Sequence, residues 1–327
     1  MLFNALVLLA KMKKLRDFLK SNKLGGALWD YLHRGNINLR RVLSDKAYFK
    51  LVYWRNCGEW LDFNAPQTFD AKQLWLKMYY RNPLCTLCSD KYAVREYVRK
   101  KGLSHILNEL YAVYDSVEQI EWDKLPNMFY MKANNMSGCN MRCNDLKSFD
   151  KSAAIRYFKK RMKYNYYYES REWNYRDISP KIIIEKILPS TNEAGLIDYR
   201  FLCAQGKCHY VFIDIDTADM AGHHKPEAKR NVYDRDMNLL DVQVSRERFD
   251  PSLVSKPDNW DEMVAYAEIL SGNFPFCRVD LYNINGKILF GEITFFHAGG
   301  LSVIYPKEWA YKLGEMISID YAKRCIE

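Results

Sequence analysis

The spacing of hydrophobic and polar positions changes along the chain. In residues 1–80, apolar and aromatic residues recur at helical spacing, as in FDAKQLWLKMYYRNP. The stretch SDKYAVREYVRKKG begins with a Ser-Asp cap and stops at Gly102, which predicts a further helix. Short strands with turns are predicted between residues 106 and 143, before another helix in FDKSAAIRYFKKRMK. The first half of the chain is therefore predicted to be mainly helical, with one small group of strands.

From KIIIEKIL onward the pattern becomes mainly that of β-strands. It continues through YRFLCAQGKCHYVFIDID and includes a strand pair in FCRVDLYNINGKILFGEITFFHAGG. The stretches NWDEMVAYAEILSG and PKEWAYKLGEMISIDYAKR are predicted helices. Strands joined by short turns, with helices in separate segments, predict an α+β fold rather than a doubly wound parallel sheet.

The strand pair carries charges within an apolar pattern. Arg278 and Asp280 share a face, because side chains alternate along a strand. A two-residue turn at Asn285-Gly286 would place Glu292 on the other face from Asp280, whereas a three-residue turn would place it opposite Arg278. We favour the three-residue turn, because it separates the charged side chains from the apolar ones.

The polar face predicted for this hairpin also includes the hydroxyl of Thr294. One interpretation is a solvated face on which Arg278 and Glu292 form a cross-strand ion pair. The other is a site for a hard cation, because oxygen ligands suit magnesium held together with substrate phosphates. The hairpin alone leaves both interpretations open.

The composition indicates a globular protein. The chain has 327 residues, of which 48% are hydrophobic and 15% aromatic, enough for a sizeable core and about two or three subdomains. Nine cysteines without a recognisable secretory signal predict reduced thiols in a cytosolic protein. The cysteine pairs in CTLC and CNMRC have no partner pair at zinc-finger spacing, so we expect buried or incidental thiols there.

The net charge of +9 is concentrated near the start of the sequence. Residues 1–60 contain 12 Lys or Arg and 4 Asp or Glu, a net +8, so the remainder is almost neutral. Leucines recur among lysines in residues 2–20, which predicts either an amphipathic helix on an anionic membrane surface or a helix packed on the protein's own core. The apolar run is too short to span a bilayer. No nucleic-acid partner is expected, because no recognised binding motif accompanies the basic residues.

Two segments contain residues suited to nucleotide binding, although the chain has neither a Walker A motif nor G-x-G-x-x-G. In FYMKANNMSGC, Lys132 ends a strand, and the small residues Ser137 and Gly138 would let backbone N–H groups approach a phosphate. In KIIIEKIL, a buried strand ends at Glu185, which could accept a hydrogen bond from an adenine amino group. Taken alone, the first segment is more often a surface hairpin and the second a core strand.

Taken in order, these segments resemble the TupA-like branch of the ATP-grasp superfamily, which is associated with teichuronopeptide and other cell-surface polysaccharide synthesis. The matching segments run from RNPLCTLCSDKYAVREYV to PKEWAYKLGEMI, about residues 70–315. The resemblance implies two α+β subdomains that grip ATP, preceded by a helical, basic region. The expected bounds are 1–80 for that region, 81–180 for the first subdomain and 181–327 for the second.

The resemblance also implies roles for individual residues, with ATP and Mg²⁺ as the cofactors. Lys91 and Lys132 resemble the two lysines that contact ATP phosphates, and Arg278 resembles the arginine that steadies the reacting carboxyl or phosphoryl group. The implied set is Lys91, Lys132, Ser137 and Gly138 for the phosphates; Glu185, Lys186, Ile187 and Leu188 for the adenine hinge; Asp198 for the ribose; Asp280, Glu292 and Thr294 for magnesium; Arg278 for catalysis; and Arg230 and His297 for substrate.

Three positions depart from the pattern of the family. Thr294 stands where related ligases usually carry Asn, and a hydroxyl is expected to be the weaker metal ligand. Met136 and Cys139 stand in the phosphate loop where related sequences tend to have smaller or more polar residues. We expect these departures to affect the turnover rate.

The function implied by the resemblance is ATP-dependent ligation of a carboxylate to an amine. An acyl phosphate would form on the carboxylate of a sugar or glycan, and an amino acid or another amine would displace phosphate. The alternatives are a glycosyltransferase of the same pathway, an ATP-dependent sugar kinase and a scaffold without catalysis. The D-x-D pattern of Asp214 and Asp216 is the feature that a glycosyltransferase would use, although it lies within a β-run rather than at a strand end.

Overall fold

The computed structural model describes residues 43–189, 195–219, 221–223 and 225–325. The helix predicted within residues 2–20, with its proposed membrane contact, lies outside them. The chain divides into two compact units, residues 1–48 and 49–327, and every site residue discussed below belongs to the second. Within the described ranges, no helix combines the length and the apolar character needed to cross a bilayer.

The ends of the helices follow from local sequence. The described α-helices are α1 Asp45–Cys57, α2 Phe69–Tyr79, α3 Pro83–Ser89, α4 Val94–Lys100, α5 Lys151–Met162, α6 Tyr167–Ser170, α7 Trp260–Ser271, α8 Glu308–Glu315 and α9 Ile319–Arg324. Thr68 caps α2 by accepting a hydrogen bond from the N–H of Ala71, and Gly272 ends α7. The predicted Ser-Asp cap instead forms a turn, in which Asp90 accepts from the N–H of Tyr92, and α4 begins after it.

The strands of the described residues form three antiparallel sheets. They are β1 Leu110–Tyr114, β2 Phe129–Ala133, β3 Asn140–Cys143, β4 Ile182–Glu185, β5 Asp198–Ala204, β6 Lys207–Ile215, β7 Lys229–Asp234, β8 Gln243–Val244, β9 Cys277–Ile284, β10 Lys287–Thr294 and β11 Ile304–Tyr305. The first sheet has the order β1-β4-β2-β3, the second has the order β10-β9-β5-β6-β7, and β11 pairs with β8. The α+β prediction is confirmed.

Each of the two larger sheets has an apolar face covered by a helix. In the four-stranded sheet, Met131 and Ile184 pack with Phe158 of α5. In the five-stranded sheet, the ring of Trp260 on α7 contacts Tyr199 and Phe201 of β5. Because β4 pairs with β1 and β2, the KIIIEKIL strand belongs to the first sheet, and the chain changes sheets between β4 and β5.

The turn of the β9–β10 hairpin differs from the turn favoured from the sequence. Lys287 pairs with Ile284, so the turn contains two residues, Asn285 and Gly286. Their φ angles are 52° and 84°, and two positive values in succession are what a tight hairpin turn of this length requires. The prediction of a three-residue turn is wrong, because the Asn-Gly pair satisfies the shorter turn without a third residue.

A β-bulge at Gly291 restores the shared polar face that the shorter turn would have removed. The register shifts by one residue there, and Glu292 then pairs directly with Asp280. A Cβ at Gly291 would lie 3.0 Å from the carbonyl oxygen of Asp280 and 3.1 Å from the ring of Tyr282. The bulge therefore requires a residue without a side chain, and it places both carboxylates on one face.

The cysteines are free thiols, as expected. Cys85 and Cys88 of α3 are buried, as are Cys139, directly before β3, and Cys143, the last residue of β3. Among the residues that the structure describes, no group of three or more His, Cys, Asp or Glu is arranged to hold a metal ion.

Candidate functional site

The face of the five-stranded sheet opposite α7 carries charged side chains on four neighbouring strands and on β10. They lie in rows across the sheet, because paired residues of adjacent strands share a face. One row is Arg230, Asp214 and Asp198, and the next is Arg200, Asp280 and Glu292. This face contains most of the residues for which the sequence predicted a role in binding the metal or the substrate.

Arg278 joins the two carboxylates predicted to bind magnesium. Its Nε and Nη2 donate to the two oxygens of Asp280, each at 2.6 Å, and Nη2 also donates to Glu292 at 2.9 Å. The hydroxyl of Thr294 donates to the same Glu292 oxygen at 3.1 Å. Asp280 is buried, whereas 42% of the Glu292 side chain is exposed. These four residues form one connected cluster, with Glu292 at its open side.

The two carboxylates differ in their protonation equilibria. Burial raises the pKa of Asp280 to about 6, against the opposing charges of Arg278 and Arg200. Partial removal from water also disfavours the ionised form of Glu292, but the charges of Arg278 and Lys91 outweigh it and lower the pKa of Glu292 to about 2. Glu292 is therefore fully ionised at neutral pH, and Asp280 titrates closer to that range.

Asp214, one residue of the D-x-D pattern, is surrounded by three arginines. Arg230 donates to both of its oxygens at 2.6 Å, and Arg246 donates to one of them at 2.6 Å. The Nε of Arg200 lies 3.0 Å from the same carboxylate, whose side chain is completely buried. Burial would raise the pKa of Asp214, but Arg200 and Arg230 hold it below the usual range. Both oxygens of this carboxylate are therefore held by arginines.

His297 lies between the two arginine centres. Its Nδ1 is 2.8 Å from Nη1 of Arg278, and its Nε2 is 3.1 Å from Nη1 of Arg230. Burial and the charges of Arg230 and Arg278 lower the pKa of His297 well below its usual value, so the ring is neutral. A neutral imidazole has one acceptor nitrogen, and both arginines can only donate. At one of the two contacts, therefore, the N–H of the imidazole faces an N–H of an arginine. An acceptor group between His297 and one arginine would relieve that contact.

The turn that carries His297 is held by a buried lysine that sequence reasoning missed. Lys77 of α2 is 1% exposed, and its Nζ donates to the carbonyl oxygens of Gly299 at 2.5 Å and Ser170 at 2.9 Å. Its helical stretch was predicted, but a lysine on an amphipathic helix is normally exposed. Arg200 and Arg246 were also missed, because their partners become apparent only from strand pairing.

The two lysines predicted to contact phosphates lie near the open carboxylate. The Nζ of Lys132 donates to Glu185 at 2.9 Å, and the Nζ of Lys91 donates to the carbonyl oxygen of Met136 at 2.5 Å. Burial lowers the pKa of Lys91. Burial also acts to lower the pKa of Lys132, but the charge of Glu185 and its hydrogen bond together reverse this effect and raise it. The charge of Glu292 raises the pKa of both ammonium groups, so both lysines lie within electrostatic range of this carboxylate.

The predicted phosphate loop follows β2 and presents its small residues to solvent. Ser137 and Gly138 are exposed at its tip, and Gly138 has a φ of 67°. Met136 and Cys139, the two departures from the family pattern, are fully buried and pack in the core under the four-stranded sheet. Their side chains therefore anchor the loop from below and do not occupy the surface that would meet a phosphate.

The predicted adenine hinge continues from β4. Glu185 is buried and lies 2.9 Å from Lys132 and 3.5 Å from Arg95. The N–H of Lys186 donates to the carbonyl oxygen of Glu109 at 3.0 Å, so the residue directly before β1 fixes the start of the hinge. Ile187 and Leu188 follow outside any strand and are half-buried.

Asp198, the residue predicted to bind ribose, lies at the start of β5 on the charged face. Its carboxylate accepts a hydrogen bond from the hydroxyl of Thr217 at 2.8 Å and lies 3.6 Å from Arg200. The structure therefore places it in the row of Asp214, next to the Arg278 cluster.

Comparison with protein-family models gives one match, described as TupA-like ATPgrasp, over residues 71–318. The chain belongs to the TupA-like ATP-grasp family. The two sheets described above are accordingly those of an ATP-grasp fold, and the protein is an ATP-grasp ligase. A comparison with curated proteins finds no match to this TupA-like chain.

Solved structures with a similar fold include three ligases. A D-alanine–D-alanine ligase from Bacillus anthracis in complex with ATP is 16% identical, with a TM-score of 0.41 over 73% of this chain and 67% of that chain. An L-amino acid ligase from Bacillus licheniformis is 14% identical, with a TM-score of 0.42 over 77% and 55%. A D-alanine–D-alanine ligase from Helicobacter pylori is 13% identical, with a TM-score of 0.40 over 79% and 69%.

Proposed function

We propose that this TupA-like ATP-grasp ligase uses ATP and Mg²⁺ to join an amino acid or another amine to the carboxylate of a sugar. The product is an amide, formed through an acyl phosphate. The family resemblance supports a place in cell-surface polysaccharide biosynthesis, such as that of a capsule, an O-antigen or a teichuronopeptide-like polymer. The basic region at residues 1–60 supports action at the inner face of the membrane.

The cluster of Arg278, Asp280 and Glu292 is the main structural support for the proposed function. It combines two carboxylates with a two-pronged cation on one face of a hairpin, and its open side lies near Lys91 and Lys132. Phosphoryl transfer to a carboxylate requires these groups, because negative charge must be neutralised on both reactants.

The residues of the cluster fit a magnesium ion. Mg²⁺ prefers oxygen ligands and usually takes one or two carboxylates together with substrate phosphates. Asp280, Glu292 and Thr294 would supply protein oxygens, and Glu292 is ionised and partly exposed. Both oxygens of Asp280 are bonded to Arg278, so we expect Arg278 to release one of them for the metal. When bound, the metal would neutralise phosphate charge.

The reaction balances in two steps. A carboxylate oxygen of the sugar attacks the γ-phosphorus of ATP, the bond to the leaving oxygen breaks, and an acyl phosphate and ADP form. The amine nitrogen then attacks the acyl carbon, the carbon–oxygen bond breaks, and phosphate leaves while the amine loses a proton. Lys91 and Lys132 would stabilise charge on the phosphates, and Arg278 would hold the reacting carboxyl group.

The remaining predicted residues would position the two substrates. Glu185 and the backbone of residues 186–188 would bind adenine, with Asp198 near the ribose, and Ser137 and Gly138 would cover the phosphates. His297 and Arg230 would contact the sugar carboxylate, and the strained contact of His297 with one arginine supports this placement.

The geometry gives less support to the glycosyltransferase. Asp214 is buried among arginines, and Asp216 pairs with Lys225 at 2.5 Å, so neither aspartate of the D-x-D pattern offers oxygens to the metal of a sugar nucleotide. A sugar kinase would share the ATP site but would need no amine.

The test is a melting-temperature comparison with ATP–Mg²⁺, UDP-sugars and GDP-sugars, followed by an ADP-release assay. We expect ATP–Mg²⁺ alone to stabilise the wild-type protein, because a ligand that prefers the native state must raise its stability. The Lys132→Ala variant should lose most of that shift, and the matched surface variant Lys124→Ala should keep it. ADP release should require both a uronic acid and an amine. Release without an amine would favour the kinase, and protection by a sugar nucleotide alone would favour the transferase.

A further inference from the structure

A cavity of about 350 Å³ lies next to the phosphate loop, on the side away from the hinge. Its lining comes from Asn135, from residues 162–165 after α5 and from residues 175–180 before β4. The volume is near the lower end of the range for small-molecule sites, which corresponds to a ligand of about one ring. None of the residues proposed above for ATP, magnesium or substrate lines it.

The walls of this cavity are held by hydrogen bonds among themselves. The side chain of Asn134 donates to the carbonyl oxygen of Ser179 at 3.1 Å and accepts from the N–H of Lys181 at 2.6 Å. The side chain of Asn165 donates to the carbonyl oxygen of Arg176 at 2.9 Å. The bonds of Asn134 attach the phosphate loop to the segment before β4, and the bond of Asn165 attaches the segment after α5 to the same segment. The cavity is therefore formed before any ligand enters.

One polar atom of the lining is buried without a partner. Asn135 is only 4% exposed, and its Oδ1 has no hydrogen-bond partner among the described residues. Buried amide oxygens are normally satisfied, because an unpaired acceptor removed from water is costly. An acceptor of this kind in a cavity wall calls for a ligand that donates a hydrogen bond.

Tyr175 relates the cavity to the reaction centre. This buried tyrosine lines the cavity, and burial together with the charges of Glu172 and Glu292 raises the pKa of its hydroxyl. The wall of the cavity therefore lies within electrostatic range of Glu292, a residue of the cluster proposed to bind magnesium.

The direction of β4 places the cavity at the phosphate end of the proposed ATP site. Ser179 and Pro180 line the cavity just before the strand, whereas Glu185 at the other end begins the proposed adenine hinge. Each residue of a strand advances about 3.3 Å, so the two ends of β4 are roughly 10 Å apart. The acceptor of the γ-phosphate must enter from the end opposite the adenine, and the cavity lies on that side.

We propose that this cavity binds the sugar ring of the substrate whose carboxylate is activated, a proposal that rests on the ligase function above. Sugars combine hydroxyl donors and acceptors with apolar ring faces. The lining offers matching groups: the acceptor of Asn135, the hydroxyl of Ser179, the carboxylate of Asp177 and the rings of Tyr164 and Tyr175. It carries cations as well as an anion, so it suits a hydroxyl-rich ring better than a phosphate or an apolar chain.

The test is calorimetric titration of the whole chain, loaded with ADP–Mg²⁺, with D-glucuronate, D-galacturonate and cyclohexanecarboxylate. The last compound has a ring and a carboxylate but no hydroxyls. At least one uronate should bind in a saturable way and more tightly than cyclohexanecarboxylate. The Asn135→Leu variant, which removes the acceptor at similar size, should weaken that uronate by about tenfold or more. Its affinity for cyclohexanecarboxylate and for ADP–Mg²⁺ should not change.

Control measurements distinguish a failure of the sugar-site proposal from a failure of the ligase proposal. Asn238→Ala removes an exposed asparagine in the turn after β7, outside the cavity lining, and should leave uronate affinity unchanged. If Asn135→Leu fails to fold, Ser179→Ala at the exposed rim should still weaken the uronate. Equal binding of uronate and cyclohexanecarboxylate, unchanged uronate affinity in the folded variants, or no saturable uronate binding would each overturn the sugar site. Failure of the wild-type protein to bind ADP–Mg²⁺ would instead overturn the ligase proposal.

Discussion

The charged face of the five-stranded sheet contains two carboxylate centres with similar ingredients and different accessibility. Asp214 is completely buried and receives hydrogen bonds from Arg230 and Arg246, with Arg200 close by. The Asp280–Glu292 centre has one chelating arginine, Arg278, and a carboxylate that is 42% exposed. The first centre has every oxygen occupied, whereas the second keeps an accessible anion.

Accessibility distinguishes a structural carboxylate centre from a functional one more clearly than residue type does. A buried carboxylate with several partners fixes the strands that carry it but has nothing left to bind. A partly exposed, ionised carboxylate beside a buried one can take a metal or a substrate. The Asp-x-Asp pattern at the end of β6 would therefore mislead a motif search, which would also overlook the bulged hairpin.

Asp214→Asn should have the largest effect on stability. The change leaves three arginines around a neutral group, and breaking a buried ion pair from one side costs about 3–5 kcal/mol of unfolding free energy. Denaturant unfolding should show this loss, whereas Asp216→Asn, a half-exposed neighbour paired with Lys225, should change little. If Asp214→Asn were as stable as wild type, the centre could not be called structural.

Glu292→Gln should affect catalysis instead. It retains the size of the side chain but removes the anion, and we expect ATP turnover to fall by roughly 10²–10³-fold, the range for losing one charge-stabilising group. Melting curves should shift little, because the side chain is partly exposed. The exposed variant Glu96→Gln is the control. Wild-type turnover in a folded Glu292→Gln protein would end the metal-site proposal.

The pH dependence of stability should distinguish the two centres. The pKa of Asp280 is raised to about 6, so the folded state holds this proton more tightly than the unfolded chain does. Its contribution to stability is complete below about pH 4 and is lost as the pH rises through 6, by up to about 3 kcal/mol. Between pH 4.5 and 7, the unfolding free energy should fall more steeply with pH in wild type than in Asp280→Asn. Asp214, with its pKa held below the usual range, should contribute no slope in that window.

Thr294→Asn should have the smallest effect. It restores the residue usual in related ligases, and an amide oxygen is a better ligand than a hydroxyl for a hard cation. We expect a few-fold lower Mg²⁺ concentration at half-maximal turnover, with unchanged stability. A higher Mg²⁺ requirement would indicate that the hydrogen bond from Thr294 to Glu292 matters more than direct coordination.

Local patterns predicted much of this molecule. The α+β class and the polar side chains of the hairpin could be derived, because strand alternation and turn signals act over a few residues. The bulge at Gly291 could not be derived, because an extra residue in β10 becomes apparent only when β10 is paired with β9. The correct face was thus predicted from a wrong turn.

Long-range pairing accounts for what the sequence did not reveal. Arg200 and Arg246 lie in segments without a motif, and only the alignment of β5, β6, β7 and β9 brings them to Asp214. Met136 and Cys139 were expected to affect turnover, and their burial beneath the loop becomes visible only when the core is known. Lys77 likewise shows its role only through the carbonyl groups of distant turns.

The bulge at Gly291 links the composition of β10 to its length. Deleting this one glycine would leave the Asn285-Gly286 turn intact and extend the ladder without interruption. Glu292 would then follow Phe290 directly and would still pair with Asp280, so the two carboxylates would keep their shared face. In comparisons of related chains, a one-residue gap at this point is therefore compatible with the site, whereas a larger residue in place of the glycine, without a gap, would mark a hairpin that cannot form the same bulge.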